Sequence, residues 1–161
     1  MDNLKDAFAG ESQANRKYLA FAKKADEEGF GQAAKLFRAA AAAETVHAHN
    51  HLKVMGGINS TKENIQEAIE GETHEYTKMY PEMIMEAEKE GNSKAVRSFD
   101  LANKVESIHA SMYQKALDNL GNNESVVDYY VCQVCGNTVE SSVPDKCRVC
   151  GAAGSMFTKI D

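Results

Sequence analysis

Two Glu-x-x-His segments, Glu44-Thr45-Val46-His47 and Glu106-Ser107-Ile108-His109, stand 62 positions apart in this chain. Residues three apart on a helix share one face, and heptad spacing puts both pairs on the face that should be buried. The same shift of 62 lays Tyr18 on Tyr80, Ala25 on Ala87, Glu28-Gly29 on Glu90-Gly91 and Phe37 on Phe99, so the chain reads as one helical hairpin used twice. The seams of the other two helical runs also carry carboxylates near their middle, Glu11 in the first and Glu72 in the third. A lone carboxylate in a core must be neutralised, paired or bound to metal. No Lys or Arg lies on these seams to pair with the glutamates, whereas two divalent cations would satisfy them all at once.

Breakers divide the helical part into four runs, at Gly29-Phe30-Gly31, Gly56-Gly57-Ile58-Asn59-Ser60 and Gly91-Asn92-Ser93. Ser60 or Thr61 is the expected N-cap of the third run. Each run is about 25–30 residues, or ~40 Å long, and four such helices with short turns imply an all-α four-helix bundle. Two Glu-x-x-His helices plus a Glu from each of the other two is the di-metal pattern of ferritin-like bundles. One Glu-x-x-His in a glutamate-rich helix is ordinarily a solvated face. Two copies at one repeat spacing, both on the apolar seam, reverse that reading. Carboxylate and imidazole donors with open positions suit iron or manganese better than calcium. His51 lies on the seam, but its repeat mate is Tyr113, so a supporting or core role is expected. His49 lies off the seam, and His74 sits about 100° around the helix from its glutamate neighbours. Tyr18 and Tyr80 lie about two turns from the glutamates, where a hydroxyl needs a hydrogen-bond partner.

Composition changes abruptly near Gly121, where Ala, Glu, Lys and Met give way to Val, Tyr, Cys and Gly in short runs. Residues 1–121 are expected to be helical, 122–128 a linker and 129–161 a small β-rich metal module. All four cysteines lie in the last segment, as Cys132-Gln133-Val134-Cys135-Gly136 and Cys147-Arg148-Val149-Cys150-Gly151. Two C-x-x-C-G knuckles turn four thiolates toward one ion. Their spacing serves a structural zinc ribbon as well as it serves iron, and a disulfide framework is the third alternative. The net charge of −6 argues against nucleic-acid or anionic-membrane partners. The start of the chain has no secretory pattern, and no stretch is apolar enough for a membrane helix. The expected location is cytoplasmic.

Together these residues resemble rubrerythrins over essentially the whole length. The resemblance rests on Ala9-Gly10-Glu11-Ser12, Glu44-Thr45-Val46-His47-Ala48, Gly71-Glu72-Thr73-His74-Glu75-Tyr76 with Met79-Tyr80-Pro81, Glu106-Ser107-Ile108-His109-Ala110, Tyr130-Val131-Cys132 and Cys150-Gly151-Ala152 with Phe157. It implies a ferritin-like di-iron bundle followed by a rubredoxin-like domain, with one iron held by Cys132, Cys135, Cys147 and Cys150. It also implies that Glu44 and Glu106 bridge two non-haem irons while Glu11 and Glu72 cap them. His109 would bind one iron permanently, and the other iron would exchange Glu75 for His47 on reduction. Glu75, His47 and Tyr18 are the residues expected to take part in the chemistry. The implied activity is reduction of hydrogen peroxide to water in oxidative-stress defence, with electrons from a rubredoxin or an NAD(P)H-linked reductase. The alternative is a ferritin-like ferroxidase or iron-handling protein with a structural zinc ribbon. One departure is Arg148, where the family often has proline.

The second departure is the link between the second and third helices. A ferritin-like bundle runs these helices parallel, so their connection must travel the ~40 Å length of the bundle. The breaker Gly56–Ser60 is five residues, which reach at most ~18 Å. Either the topology is a plain up-down-up-down bundle, or the third and fourth helices pair with another chain's first and second; the resemblance implies the ferritin-like arrangement and so a homodimer that exchanges its helical hairpins between chains.

Overall fold

A computed structural model of the chain describes residues 1–122 and 126–161; residues 123–125 of the expected linker lie outside the described residues. The helices are α1 (Asp2–Glu27), α2 (Gly31–Val54), α3 (Thr61–His74), α4 (Tyr80–Lys89) and α5 (Ser93–Asn119). Strands β1 (Tyr129–Cys132), β2 (Thr138–Glu140) and β3 (Phe157–Ile160) follow. This is the expected order of helical runs followed by a small β module. No helix among the described residues is long and apolar enough to cross a membrane.

The chain forms two compact units, Met1–Asn59 and Ser60–Asp161. In the first, α1 and α2 pack as a hairpin. Its buried positions are Asn15, Ala22 and Ala25 on α1, and Ala34, Ala41 and Ala48 at a spacing of seven on α2. The α1 positions lie on the expected seam, whereas the α2 alanines form a stripe adjacent to the expected one, on which Phe37, Ala40 and Glu44 are half-buried while Ala33 and His47 are exposed. Heptad reading weights large apolar residues and so misses an alanine stripe, although small side chains let two helix backbones come close.

In the second unit α3 and α4 pack against α5. Ser60 caps α3 in a reciprocal box, its hydroxyl accepting from the Glu63 amide at 3.4 Å while its own N–H donates to Glu63 Oε2 at 3.0 Å, which satisfies two donors orphaned at the helix start. Asn92 caps α5 by accepting from the Ala95 amide at 3.1 Å. The third run is not one regular helix. A π-helical turn, Glu75–Met79, joins α3 to α4, and the Tyr80 amide bonds the Glu75 carbonyl five residues back. Pro81 follows at the start of α4; it has no N–H for the carbonyl four residues before it, and a local change of helix type absorbs that vacancy.

The module is a three-stranded antiparallel sheet in the order β2-β1-β3, with Val131 opposite Thr138 and Cys132 opposite Phe157. It rests on α5: a Cβ added to Gly136 would touch Val105 at 3.8 Å, and Val105 is among the most buried side chains.

Candidate metal centres

Each helical hairpin gathers three potential metal ligands, and the two gatherings repeat one geometry. In the first unit Glu11, Glu44 and His47 each bring a donor atom within 4.8 Å of the others. His47 Nδ1 lies 2.9 Å from Glu44 Oε2 and 3.7 Å from Glu11 Oε1. In the second unit Glu72, Glu106 and His109 gather in the same way. His109 Nδ1 lies 2.8 Å from Glu106 Oε2 and 3.8 Å from Glu72 Oε1. In both hairpins the Glu-x-x-His helix supplies two donors one turn apart and its neighbour supplies the third.

The supporting contacts differ. In the first unit buried Asn15 sits one turn beyond Glu11, and its Nδ2 donates to the Ala41 carbonyl at 2.7 Å and to Thr45 Oγ1 at 2.8 Å. It ties α1 to α2 beside Glu44. In the second unit His109 Nε2 lies 2.9 Å from Thr138 Oγ1 of β2. The aromatic repeat mates stay alike, with Tyr18 against Phe37 at 6.1 Å between ring centres and Tyr80 against Phe99 at 6.2 Å.

The electrostatics of the second cluster fit a cation. Burial, a hydrogen bond with Glu106 and the charges of Glu106 and Glu75 push the Glu72 carboxyl up to about 7. Glu72 Oε2 is buried with no hydrogen-bond partner. A carboxylate with a raised pKa and an unsatisfied buried oxygen is relieved by a divalent ion between it and its neighbours. Glu75, on the π-turn, stands outside the three-residue group. Burial raises its carboxyl, and the Glu106 charge raises it further. Burial and the carboxylates of Glu75, Glu106 and Glu72 raise the Tyr80 hydroxyl too, so Tyr80 belongs among the groups near the carboxylates. His49 and His74 are exposed and belong to neither cluster.

The four cysteines are all free thiols and form one group. Cys132 and Cys150 place their sulfurs 3.8 Å apart, and Cys135 and Cys147 3.6 Å apart. A disulfide needs ~2.05 Å, whereas a tetrahedron of ~2.3 Å metal–sulfur bonds has edges of ~3.8 Å. Burial pushes the Cys147 thiol up, but N–H donation from Cys150 and Val149, with bonds from Cys135 and Cys150, brings it down to about 6. Burial sends the Cys135 thiol well above its usual range despite an N–H from Asn137. Asn137 itself is fully buried, and its Nδ2 donates to Cys147 Sγ at 3.6 Å. The donor sets therefore suit two iron ions at carboxylate and imidazole and one at four thiolates.

Asn15, Thr138 and Asn137 are the supporting residues that sequence reasoning did not single out for the sites. Asn15 carried a signal, being a polar residue on an apolar seam. Asn137 and Thr138 follow a knuckle, and no spacing rule connects the first to Cys147 or the second to His109 of α5.

The rubrerythrin family profile matches residues 2–117, and the profile described as rubrerythrin, rubredoxin-like domain, matches residues 130–158. Nigerythrin of Nitratidesulfovibrio vulgaris is 35% identical over 98% of this chain and 85% of its own length. Rubrerythrin-2 of Clostridium acetobutylicum is 32% identical over 97% of this chain and 94% of its own. The solved structure of mixed-valent nigerythrin matches with a TM-score of 0.61 at 36% identity, over 99% of this chain and 85% of that one. With both profiles in order along the chain and relatives matched almost from end to end, this protein belongs to the rubrerythrin family.

Proposed function

We propose that this chain, a di-iron oxidoreductase of the rubrerythrin family, reduces hydrogen peroxide to water with electrons delivered through its four-cysteine iron centre. The observation that carries the reading is the seating of a four-thiol site against the same helix, α5, that presents Glu106 and His109. A zinc ribbon on an unrelated scaffold would have no need of that seat. Iron, when bound, supplies the two electrons that, with two protons, convert one peroxide into two waters.

The chain's own groups divide the remaining work. Glu44 and Glu106 would be shared by the two irons, Glu11 and Glu72 would each hold one of them, His109 would be a constant ligand, and His47 and Glu75 would be alternative ligands. The π-turn that carries Glu75 suits such exchange, because a turn bonded to the fifth residue is less tightly wound than its neighbours. The Tyr80 hydroxyl, held up by burial and the nearby carboxylates, stays protonated and can donate a hydrogen bond to a substrate oxygen; Tyr18 is its repeat mate. A cavity of about 420 Å³, lined by Glu72, His109, Met112, Tyr113, Tyr129 and Thr138, has room for peroxide beside the carboxylates. Electrons reach the thiolate centre from a rubredoxin or an NAD(P)H-linked reductase, and the chain works in the cytoplasm.

The complete site is proposed to form between two chains. Each hairpin gathers three potential ligands of its own, and the face of α2 that carries Glu44 and His47 is left half-exposed. The compact units divide at Asn59–Ser60, at the end of the five-residue breaker. The first hairpin of one chain would then cover the second hairpin of its partner.

The test is anaerobic. The chemically reduced protein is mixed with peroxide, and oxidation of the bundle and of the thiolate centre are followed separately by their absorption. Wild type should consume peroxide catalytically when a donor is present. Cys147→Ser should lose the thiolate absorption and donor-linked turnover, while its reduced bundle still consumes one peroxide. Normal donor-linked rates in Cys147→Ser, or no oxidation of the reduced wild type by peroxide, would refute the reading. A colourless module holding zinc would favour the ferroxidase alternative.

A further inference from the structure

The cysteine module reaches the Glu72–Glu106–His109 cluster through Thr138. The Thr138 hydroxyl lies 2.9 Å from His109 Nε2 and donates to the Gly136 carbonyl at 3.2 Å. A hydroxyl has one hydrogen. If it goes to Gly136, Thr138 Oγ1 can only accept from His109, and Nε2 must carry the imidazole proton. Nδ1 is then a bare lone pair 2.8 Å from Glu106 Oε2. Two acceptors at that distance repel each other unless a cation lies between them. Thr138 thus selects the one neutral tautomer of His109 that can bind a metal through Nδ1.

The other end of this chain of bonds is a metal-binding turn. Gly136, at φ +81°, closes the first knuckle. Its N–H donates to the Cys132 carbonyl at 2.8 Å, and the Cys132 N–H donates to the Asn137 carbonyl at 2.9 Å. When Cys132 and Cys135 grip one ion this turn has a single conformation, and the Gly136 carbonyl is held where Thr138 needs it. Val105, one turn before His109, packs against the same turn, so the knuckle is seated on α5 at two levels that bracket Glu106. We propose that Thr138 is a positioning residue that couples the two kinds of metal site, so that filling the four cysteines strengthens binding at Glu72, Glu106 and His109. The inference rests on reading that cluster as a metal site. Because coupling between two binding equilibria is reciprocal, metal at His109 likewise strengthens the thiolate site.

Cobalt(II) tests this in the full-length chain after iron is removed. Thiolate charge-transfer bands report the cysteines, and weak d–d bands report the carboxylate–imidazole site. Thr138→Val keeps the β-branched shape and removes the hydroxyl. It should weaken cobalt binding at the carboxylate–imidazole site about tenfold, the low end for loss of a metal-ligand support. Thr138→Ser, which restores the hydroxyl, should return to within about twofold of wild type by the same reasoning. Cys147→Ser, which cannot organise the knuckle, should show the same weakening, and Thr138→Val added to it should cost nothing further. Wild-type affinity in Thr138→Val would overturn the proposal. So would fully additive losses in the double variant, which would make Thr138 a local prop for His109 with no link to the cysteines. If wild type shows thiolate bands but no second set of cobalt bands, the metal-site reading itself fails, and the coupling with it. Far-UV circular dichroism of each variant, unchanged from wild type, excludes loss of fold as the cause.

Discussion

Replacing Asn15 by alanine should cost the first hairpin about 2 kcal/mol, the worth of the two hydrogen bonds its amide makes. Asn15 is 8% exposed and donates two hydrogen bonds to α2, at 2.7 Å to the Ala41 carbonyl and at 2.8 Å to Thr45 Oγ1. A buried intramolecular hydrogen bond contributes about 1 kcal/mol net, so the pair is worth ~2 kcal/mol. No larger penalty is expected, because the Ala41 carbonyl keeps the Thr45 hydroxyl as a donor at 3.1 Å and is not orphaned. For a chain of this size ~2 kcal/mol lowers the melting temperature by about 4–8 °C. The assay is thermal unfolding of the metal-free protein by circular dichroism, with Arg38→Ala as the reference. Arg38 makes a 2.6 Å ion pair with Asp26 between the same two helices, but both side chains are about half-exposed, and such a pair is worth at most ~1 kcal/mol. The order of the two variants is the test: Asn15→Ala melting at or above Arg38→Ala would show that the buried amide does not hold α1 to α2. Asn15→Ala should also weaken metal binding at Glu11, Glu44 and His47, because the amide sets the register of Glu11 against Glu44.

Three other perturbations have definite outcomes. Glu72 titrates at about 7 in the folded metal-free protein against 4.5 in the unfolded chain, so its contribution is fully present below pH 4.5 and is lost as the pH rises through about 7; Glu72→Gln should flatten metal-free stability across that window in urea titrations, and an unchanged slope would contradict the assignment. Gly154→Ala would put a Cβ 2.5 Å from the Pro144 carbonyl oxygen, a backbone atom that cannot swing aside; the module should lose stability by at least ~1 kcal/mol and bleach its thiolate absorption at a lower temperature than wild type. Mixing a Glu44→Ala chain with a Glu106→Ala chain should restore about one good di-iron site per heterodimer if hairpins are exchanged between chains, and a monomer binding its full iron complement would rule the exchange out.

The gathering of carboxylates, histidines and thiols was legible in the sequence because helix periodicity is local. Glu44 with His47, and Glu106 with His109, face one way in any helix that contains them, and the two knuckles bring four thiols together through turns of a few residues. Breakers at Gly29, Gly56 and Gly91 marked the helix ends for the same reason, each glycine adopting a positive φ of 68–82°. The alanine stripe of α2 was harder to read, since alanine contributes little to a hydrophobic pattern and much to how closely helices approach. The π-turn at Glu75 depends on a balance between Pro81 and the packing of α3 and α4 on α5, which a periodic pattern does not carry. Thr138 on His109 and Asn15 on Ala41 join residues 29 and 26 positions apart. Such pairings are decided by which surfaces meet when the elements pack, since the same side chains in the same elements would face water if β2 or α2 were docked a few ångströms elsewhere.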